Sequence, residues 1–261
     1  MNAELLLMFT LGCDRAYLYA HPEKELSQEE QARYQEALRQ RSEGIPAQYI
    51  TGHQEFWGLD LIVSPAVLIP RPETEHVIET VLQLNHGPSG GFRRVVDVGT
   101  GSGAVALALA KELPQAEIHA TDISPAALEI ARANAARHQL EGRIHFHEAN
   151  LFEGLSVKDF DLVVSNPPYV GESEEDLVQL EVRRFEPRAA VFAGPTGLEV
   201  IARLLPQAHA RLKPNGWLVL EISGAIAAQL PRLLEEWKQV AITKDLQGLP
   251  RVAAAQKPSR P

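Results

Sequence analysis

The densest chemistry in the chain lies at Asn166-Pro167-Pro168-Tyr169, directly after the apolar run Phe160-Asp161-Leu162-Val163-Val164-Ser165. A buried strand that stops abruptly on such a tetrad places it at the carboxyl edge of a sheet, where open α/β folds bind ligands. The residue types suit alkylation of a planar amino group. Conjugation withdraws the lone pair of an amide or aromatic amine, so two acceptors aimed at its two N–H bonds would fix its orientation and favour pyramidal character. The Asn166 side-chain oxygen is one such acceptor and the Pro167 carbonyl the other. Pro167 and Pro168 have fixed φ and no amide hydrogen, which holds that carbonyl stiffly. Tyr169 offers a ring face on which a planar group can pack. No strong base is required, because the nitrogen becomes acidic once alkylated, and positioning in a dry site is enough. Asn166, Pro167 and Tyr169 are therefore the candidate catalytic residues, with Asn166, Pro167, Pro168 and Tyr169 lining the substrate. The alternative is a strand-ending turn with a packed tyrosine.

A second constellation supplies the reagent. Val95-Val96-Asp97-Val98-Gly99-Thr100-Gly101-Ser102-Gly103 reads as a buried strand running into a glycine turn that opens a helix. Glycines there permit positive φ and close approach of backbone to ligand. Asp122 ends the next strand, about 25 residues beyond Asp97, where a doubly wound fold sets a carboxylate against ribose hydroxyls. A nicotinamide cofactor shares this outline, but two features count against it. The acid precedes the turn, and the Gly-x-Gly-x-x-Gly spacing that seats a pyrophosphate is missing. S-adenosylmethionine has no phosphate and carries an ammonium and a sulfonium, so it suits an acid near the turn. Asp97 is then a candidate for orienting the methionine moiety, or else merely braces the loop.

Stepping outward, the elements that must position these groups fall into three zones. Residues 1–46 carry helical periodicity, with Leu5, Leu6, Phe9, Leu18, Tyr34 and Leu38 apolar and a capping box at Ser27. Residues 47–72 carry a hairpin turning at Gly58, then an extended bridge punctuated by Pro65, Pro70 and Pro72. Residues 73–261 begin with a helix from Glu73 towards Leu84 and a loop over Gly87–Gly91. They then alternate strands (94–98, 117–121, 144–147, 161–165, 216–222, 240–245, 251–255) with helices (103–111, 125–137, 198–212, 227–237). Alternation implies an α/β fold with a parallel sheet covered on both faces, its last two strands forming an antiparallel edge hairpin. The tail Gln256–Pro261 is expected to fray.

Bulk composition narrows the partners. A formal net charge of -9 lowers the expectation of a duplex nucleic acid partner, which calls for a basic face. One cysteine, Cys13, excludes an internal disulfide framework and a cysteine zinc site. No apolar run is long enough to span a bilayer, and the start lacks a basic n-region and a cleavage site, so the chain is expected in the cytoplasm. His145 and His147 share a strand face without an evident third ligand, and no metal is expected.

Taken in order, Asp97 to Gly103, Asp122-Ile123-Ser124-Pro125 and Ser165 to Tyr169 resemble the class I methyltransferases that modify amide or exocyclic nitrogens. Leu68-Ile69-Pro70-Arg71-Pro72-Glu73-Thr74-Glu75 and Val182-Arg183-Arg184-Phe185-Glu186-Pro187-Arg188 are similar, more narrowly, to the peptide chain release factor glutamine methyltransferases. The resemblance implies a Rossmann-like seven-stranded sheet, a small all-helical amino-terminal docking domain and a hairpin bridge. It implies methylation of the glutamine of Gly-Gly-Gln in class I release factors; a monomer is expected, although the sequence does not disclose oligomeric state. It carries cofactor contacts to Asp97, Gly99, Thr100, Gly101, Ser102, Gly103, Asp122, Asn150, Leu151 and Asn166. Three departures stand out. The segment Ala3–Leu6 opens the chain where the family usually has a further helix, so a shortened docking domain or a misplaced start is expected. Asn150 replaces a usual aspartate near the adenine amino group, and its amide oxygen is expected to accept in its place. Pro250 precedes Arg251-Val252 where an acid is common. Rival substrates are a glutamine of a large-subunit ribosomal protein, whose enzymes show Pro-Arg-Ser-Pro at the bridge, and a flipped nucleic-acid base.

Overall fold

A computed structural model describes residues 2–85 and 91–259. Four helices open the chain: α1 (Asn2–Leu11), α2 (Arg15–Ala20), α3 (Gln28–Ser42) and α4 (Ala47–Thr51). The expected capping box is formed at the start of α3. The Glu30 amide donates to Ser27 Oγ at 3.2 Å, and the Ser27 amide to Glu30 Oε2 at 2.8 Å. Next comes the hairpin of β1 (His53–Phe56) and β2 (Leu59–Ile62), paired so that Phe56 faces Leu59. Its two-residue loop, Trp57-Gly58, has φ of 53° and 68°, the positive pair that matches strand twist. Trp57 tolerates that conformation because its amide donates to Glu75 Oε1 and its indole to Glu112 Oε1, each at 2.9 Å.

The bridge ends in a 3-10 turn, Pro72–Thr74, feeding α5 (Glu75–Asn85). Of the expected loop over Gly87–Gly91, residues 87–90 lie outside the described residues. The large unit follows as β3 (Arg94–Val98), α6 (Ala104–Glu112), β4 (Glu117–Asp122), α7 (Pro125–Arg137), β5 (Ile144–Glu148) and β6 (Phe160–Ser165). Beyond β6 come β7 (Val170–Gly171), α8 (Leu180–Phe185), α9 (Arg188–Val191), β8 (Phe192–Gly194), α10 (Glu199–Arg211) and β9 (Leu212–Glu221). The chain closes with α11 (Gly224–Ala227), α12 (Leu230–Leu233), β10 (Lys238–Lys244) and β11 (Pro250–Gln256).

Seven strands order as β10-β11-β9-β6-β3-β4-β5, parallel except where β11 runs antiparallel to β9 and to β10. Alternation along β3 splits the core. Val95 packs with Leu107, Leu109, Val77 and Ile78 on one face, while Val96 and Val98 pack with Ile201, Leu204 and Leu230 on the other. The chain leaves β3 towards β4 on one side and returns through β6 on the other, so a crevice opens at the carboxyl ends of β3, β4 and β6.

Two expectations are corrected. The helix read over 227–237 is reduced to α12, Leu230–Leu233, with α11 ending at Ala227; Pro231 lacks an amide hydrogen and belongs in the first turn of a new helix. The tail does not fray at Gln256, which is the last residue of β11 and pairs with Trp217. Lys257 is also tied, its amide donating to the Gly216 carbonyl at 2.8 Å.

Candidate functional site

The glycine turn is built by backbone hydrogen bonds to the neighbouring strand. Gly99 and Thr100 amides both donate to the Thr121 carbonyl, at 2.8 and 2.9 Å. Gly99, Gly101 and Gly103 have φ of 76°, 54° and 84°, values that penalise a side chain. A Cβ on Gly99 or Gly101 would meet nothing within 4 Å, so the turn leaves its floor open to the crevice. Gly103 differs: a Cβ there would sit 2.6 Å from Leu107 Cδ1 and 3.2 Å from the Ala131 Cβ. Its role is close packing of α6 on α7, and it does not line the cavity.

Both acids face the turn. Asp97 is 1% exposed and accepts from the Thr100 hydroxyl at 2.6 Å. Burial pushes its carboxyl up to about 7, with the Thr100 bond opposing and the charge of Asp122 adding. Asp122 accepts the Gly101 amide on Oδ2 and the Ser124 amide on Oδ1, each at 2.8 Å. Burial raises its pKa against those two bonds. Each oxygen keeps a lone pair, so the carboxylate can brace the turn and still take hydroxyl hydrogens.

Asp97, Gly99, Thr100, Gly101, Ser102, Asp122, Asn150, Leu151, Asn166 and Pro168 line one cavity of about 470 Å³. Ile123, 63% exposed at the head of the β4–α7 loop, is an apolar wall of the same cavity. Leu151 stands opposite with φ of 58°, unusual for a residue with a Cβ. The Asn150 amide oxygen is not left for an adenine amino group alone: Arg203 Nη2 donates to it at 2.8 Å. The guanidinium from α10 shares that acceptor, which keeps a second lone pair for the expected contact.

At the other end, Asn166 Nδ2 donates to Thr74 Oγ1 at 3.2 Å. The Asn166 oxygen has no protein donor among the described residues. Pro168 lines the cavity, whereas Pro167 is buried and neither it nor Tyr169 is part of the wall. The Tyr169 hydroxyl donates to Glu221 Oε1 at 3.1 Å, and burial raises the phenol's pKa. Behind the tetrad, Gly197 has φ of +83°, and a Cβ on it would lie 2.6 Å from the Tyr169 carbonyl oxygen.

Sequence reading missed several supporting residues. Buried Asn134 accepts the Ile62 amide at 2.7 Å and donates to the Ile62 and Ser102 carbonyls, tying the hairpin to the glycine turn. Glu186 accepts the Ile69 amide at 3.0 Å and pairs with Arg71. The two stretches 68–75 and 182–188 thus meet as one clasp at the cavity's rim. Thr74 and Glu221 gave no sequence signal of their own, being single residues far from the tetrad.

His145 and His147 do share a face, and His119 on β4 lies between them. His147 is 3.0 Å from His119, and burial holds the His119 ring down at about 4. Among the described residues no group of three or more His, Cys, Asp or Glu could hold a metal ion, and no helix is long and apolar enough to cross a membrane.

Comparison with known proteins matches two family models, "PrmC N-terminal domain" over residues 1–52 and "Methyltransferase small domain" over residues 78–184. A release factor glutamine methyltransferase of Koribacter versatilis is 54% identical over 260 residues, covering 99% of this chain and 91% of the relative. Its counterpart in Xylella fastidiosa strain Temecula1 is 44% identical, covering 99% and 93%. The chain belongs to the release factor glutamine methyltransferase family.

Solved structures support the fold of this family member. The hMettl16 catalytic domain with MAT2A 3'UTR hairpin 6 superposes with TM-score 0.63, at 20% identity, over 82% of this chain and 81% of that one. The Thermus thermophilus 16S rRNA N2 G1207 methyltransferase, solved with AdoMet and guanosine, gives 0.58 at 22% identity, over 78% and 49%. Within the methyltransferase the departure at Pro250 has a local account. Arg251 takes its acid from Asp245 on the other side of the hairpin turn, at 2.8 Å.

Proposed function

We propose that this methyltransferase transfers a methyl group from S-adenosylmethionine to the side-chain amide nitrogen of the glutamine in the Gly-Gly-Gln motif of class I peptide chain release factors. The observation that carries the chemistry is the Asn166 amide. Its nitrogen is engaged by Thr74, which turns the oxygen into the acceptor available to a target N–H. The substrate class follows the relatives' shared activity and the near-complete coverage of the chain.

The residues fit the cofactor. An open glycine floor, the acids Asp97 and Asp122 and the apolar walls Ile123 and Leu151 meet the backbone, polar and aromatic demands of an adenosyl-methionine. Asp122 would take the ribose hydroxyls and Asp97 the ammonium. When bound, that cofactor supplies an electrophilic methyl on a sulfonium. This chain's own residues then do the rest. Asn166 Oδ1 and the Pro167 carbonyl accept the two N–H bonds of the glutamine amide and orient its lone pair towards the methyl. Held this way, the amide nitrogen would present its lone pair to the methyl that the bound cofactor would supply, the sulfonium leaving as the thioether. The methylated nitrogen sheds its proton to water, since it is then strongly acidic. Pro70, Pro168 and Phe192 add apolar surface to the wall. Orientation of this kind supplies up to about 7–11 kcal/mol of barrier lowering.

The test is incubation with labelled S-adenosylmethionine and, separately, an unmethylated class I release factor, a large-subunit ribosomal protein fraction, and DNA. Peptide mass spectrometry is expected to find the methyl on the Gly-Gly-Gln glutamine alone. Label on the ribosomal protein or on DNA would keep the chemistry and discard the substrate.

A further inference from the structure

The strand order β6-β3-β4-β5 sets the order of the site's parts along the cavity. Asn166 follows β6, Asp97 and the glycine turn belong to the end of β3, and Asp122 ends β4. With a methionine moiety on Asp97 and a ribose on Asp122, the base falls one strand further out, at β5. Asn150 stands there, just past Glu148, the residue that pairs in register with Asp122. The link is close, since the intervening Ala149 amide donates to the Asp122 carbonyl at 2.9 Å. Arg203, an exposed residue of α10, lines the same cavity and gives Nη2 to Asn150 Oδ1 at 2.8 Å. Methyl transfer itself makes no use of this guanidinium.

Purines differ at the 6-position: adenine carries an amino group that donates, and a 6-oxo purine carries an oxygen that accepts. A free asparagine side chain serves either, because a half-turn of its amide exchanges an acceptor for donors with almost no change of shape. Asn150 alone therefore does not discriminate. A guanidinium has five N–H donors and no acceptor. Beside Arg203, only the oxygen end of Asn150 is tolerated, since the turned amide would set N–H against N–H. The oxygen spends one lone pair on Arg203 and keeps the other. We propose that Arg203 holds Asn150 as an acceptor and so makes the cavity select an adenine base over a 6-oxo purine. The inference rests on the reading of this cavity as the seat of S-adenosylmethionine. Arg203 acts through Asn150 and is a positioning residue, with its effect on cofactor choice.

Titration calorimetry with S-adenosylhomocysteine and with its deaminated analogue, S-inosylhomocysteine, reads this choice without turnover. The unaltered protein is expected to bind the adenine compound at least about tenfold tighter, because a 6-oxo group would face the Asn150 lone pair. Arg203→Met keeps a good helix former at an exposed position and removes the donors. The ratio of the two affinities should then fall about three- to tenfold, as the freed amide turns to donate to the 6-oxo group. Asn150→Asp needs no such orientation, since a carboxylate only accepts. In that background Arg203→Met should change the ratio by less than about threefold. Three results would overturn the proposal: no preference in the unaltered protein, a ratio that falls less than about threefold in Arg203→Met, or an equal fall in the Asn150→Asp background. The last would mean that Arg203 meets the base directly. By contrast, an unaltered protein that binds neither compound would sink the cofactor reading itself.

Discussion

If Asp97 holds the cofactor ammonium as proposed, cofactor affinity is expected to depend on pH. The Asp97 carboxyl is buried and titrates near 7, against an ordinary 3.8, chiefly through loss of solvation. A raised pKa means that the neutral form is the one the free protein favours. Asp97 therefore contributes stability below about pH 4 that is lost as pH rises towards 7. Binding runs the other way. A cofactor ammonium stays protonated below about pH 7 and needs the ionised carboxylate. About one-tenth of the free protein carries that carboxylate at pH 6, and about half at pH 7. The association constant should then rise close to tenfold per pH unit below about 6.5 and level above 7, with up to about one proton released per cofactor bound. Titration calorimetry in two buffers of different ionisation enthalpy reads both quantities. Asp97→Asn should bind more weakly at pH 7 and with a flat pH profile. A wild-type constant that does not move between pH 5.5 and 7, with no proton release, would refute the assignment of Asp97 to the ammonium.

Other perturbations separate the parts of the site. Asn166→Ala should cut turnover at least about a hundredfold while cofactor affinity stays within about tenfold, because a positioned acceptor is lost. Single-turnover kinetics beside calorimetry decides it, and near-normal turnover would contradict the mechanism. Gly197→Ala puts a Cβ 2.6 Å from the Tyr169 carbonyl at φ of +83°. It should cost about 1–3 kcal/mol by thermal unfolding and lower turnover more than cofactor affinity, whereas a stable, fully active variant would mean the tetrad moves freely. His119 is held down at about 4 by burial, so its neutral form stabilises the fold above about pH 6.5, and that contribution fades as pH falls towards 4. His119→Gln should flatten part of that acid slope in urea midpoints; an unchanged slope would show that other groups carry it.

What the sequence disclosed and what it hid divide on physical lines. Strand–helix alternation and the glycine turn were legible because they are local: Val95–Gly103 encodes its own strand, its own positive-φ turn and the start of α6. Pro125 and Ser124 likewise announce α7 with a cap and a first-turn proline. The tetrad was legible because Asn-Pro-Pro-Tyr after an apolar strand has few other uses. Asn134 and Glu221 were not, and Thr74 and Glu186 stood inside quoted stretches without a visible role, since each acts across 32 to 117 residues through a partner that periodicity cannot name. Short segments between Glu172 and Gly194 were missed for a related reason. Their helices run four to six residues and stand only by tertiary contact. Arg203 was not foreseen as a partner of Asn150, because it reaches that oxygen from α10, 53 residues further along the chain.

The clasp of Arg71 on Glu186 and the link of Thr74 to Asn166 give the two halves of the site different folding requirements. Most of the cofactor half comes from Asp97 to Leu151, a nearly contiguous stretch that a partly synthesised chain already holds. The acceptor half joins residues 69–74 to 166–186 and then to 221, so it is complete only after β9 has docked. During synthesis, then, most residues of the reagent's seat are already present before Glu221, the last residue of the acceptor side, is added.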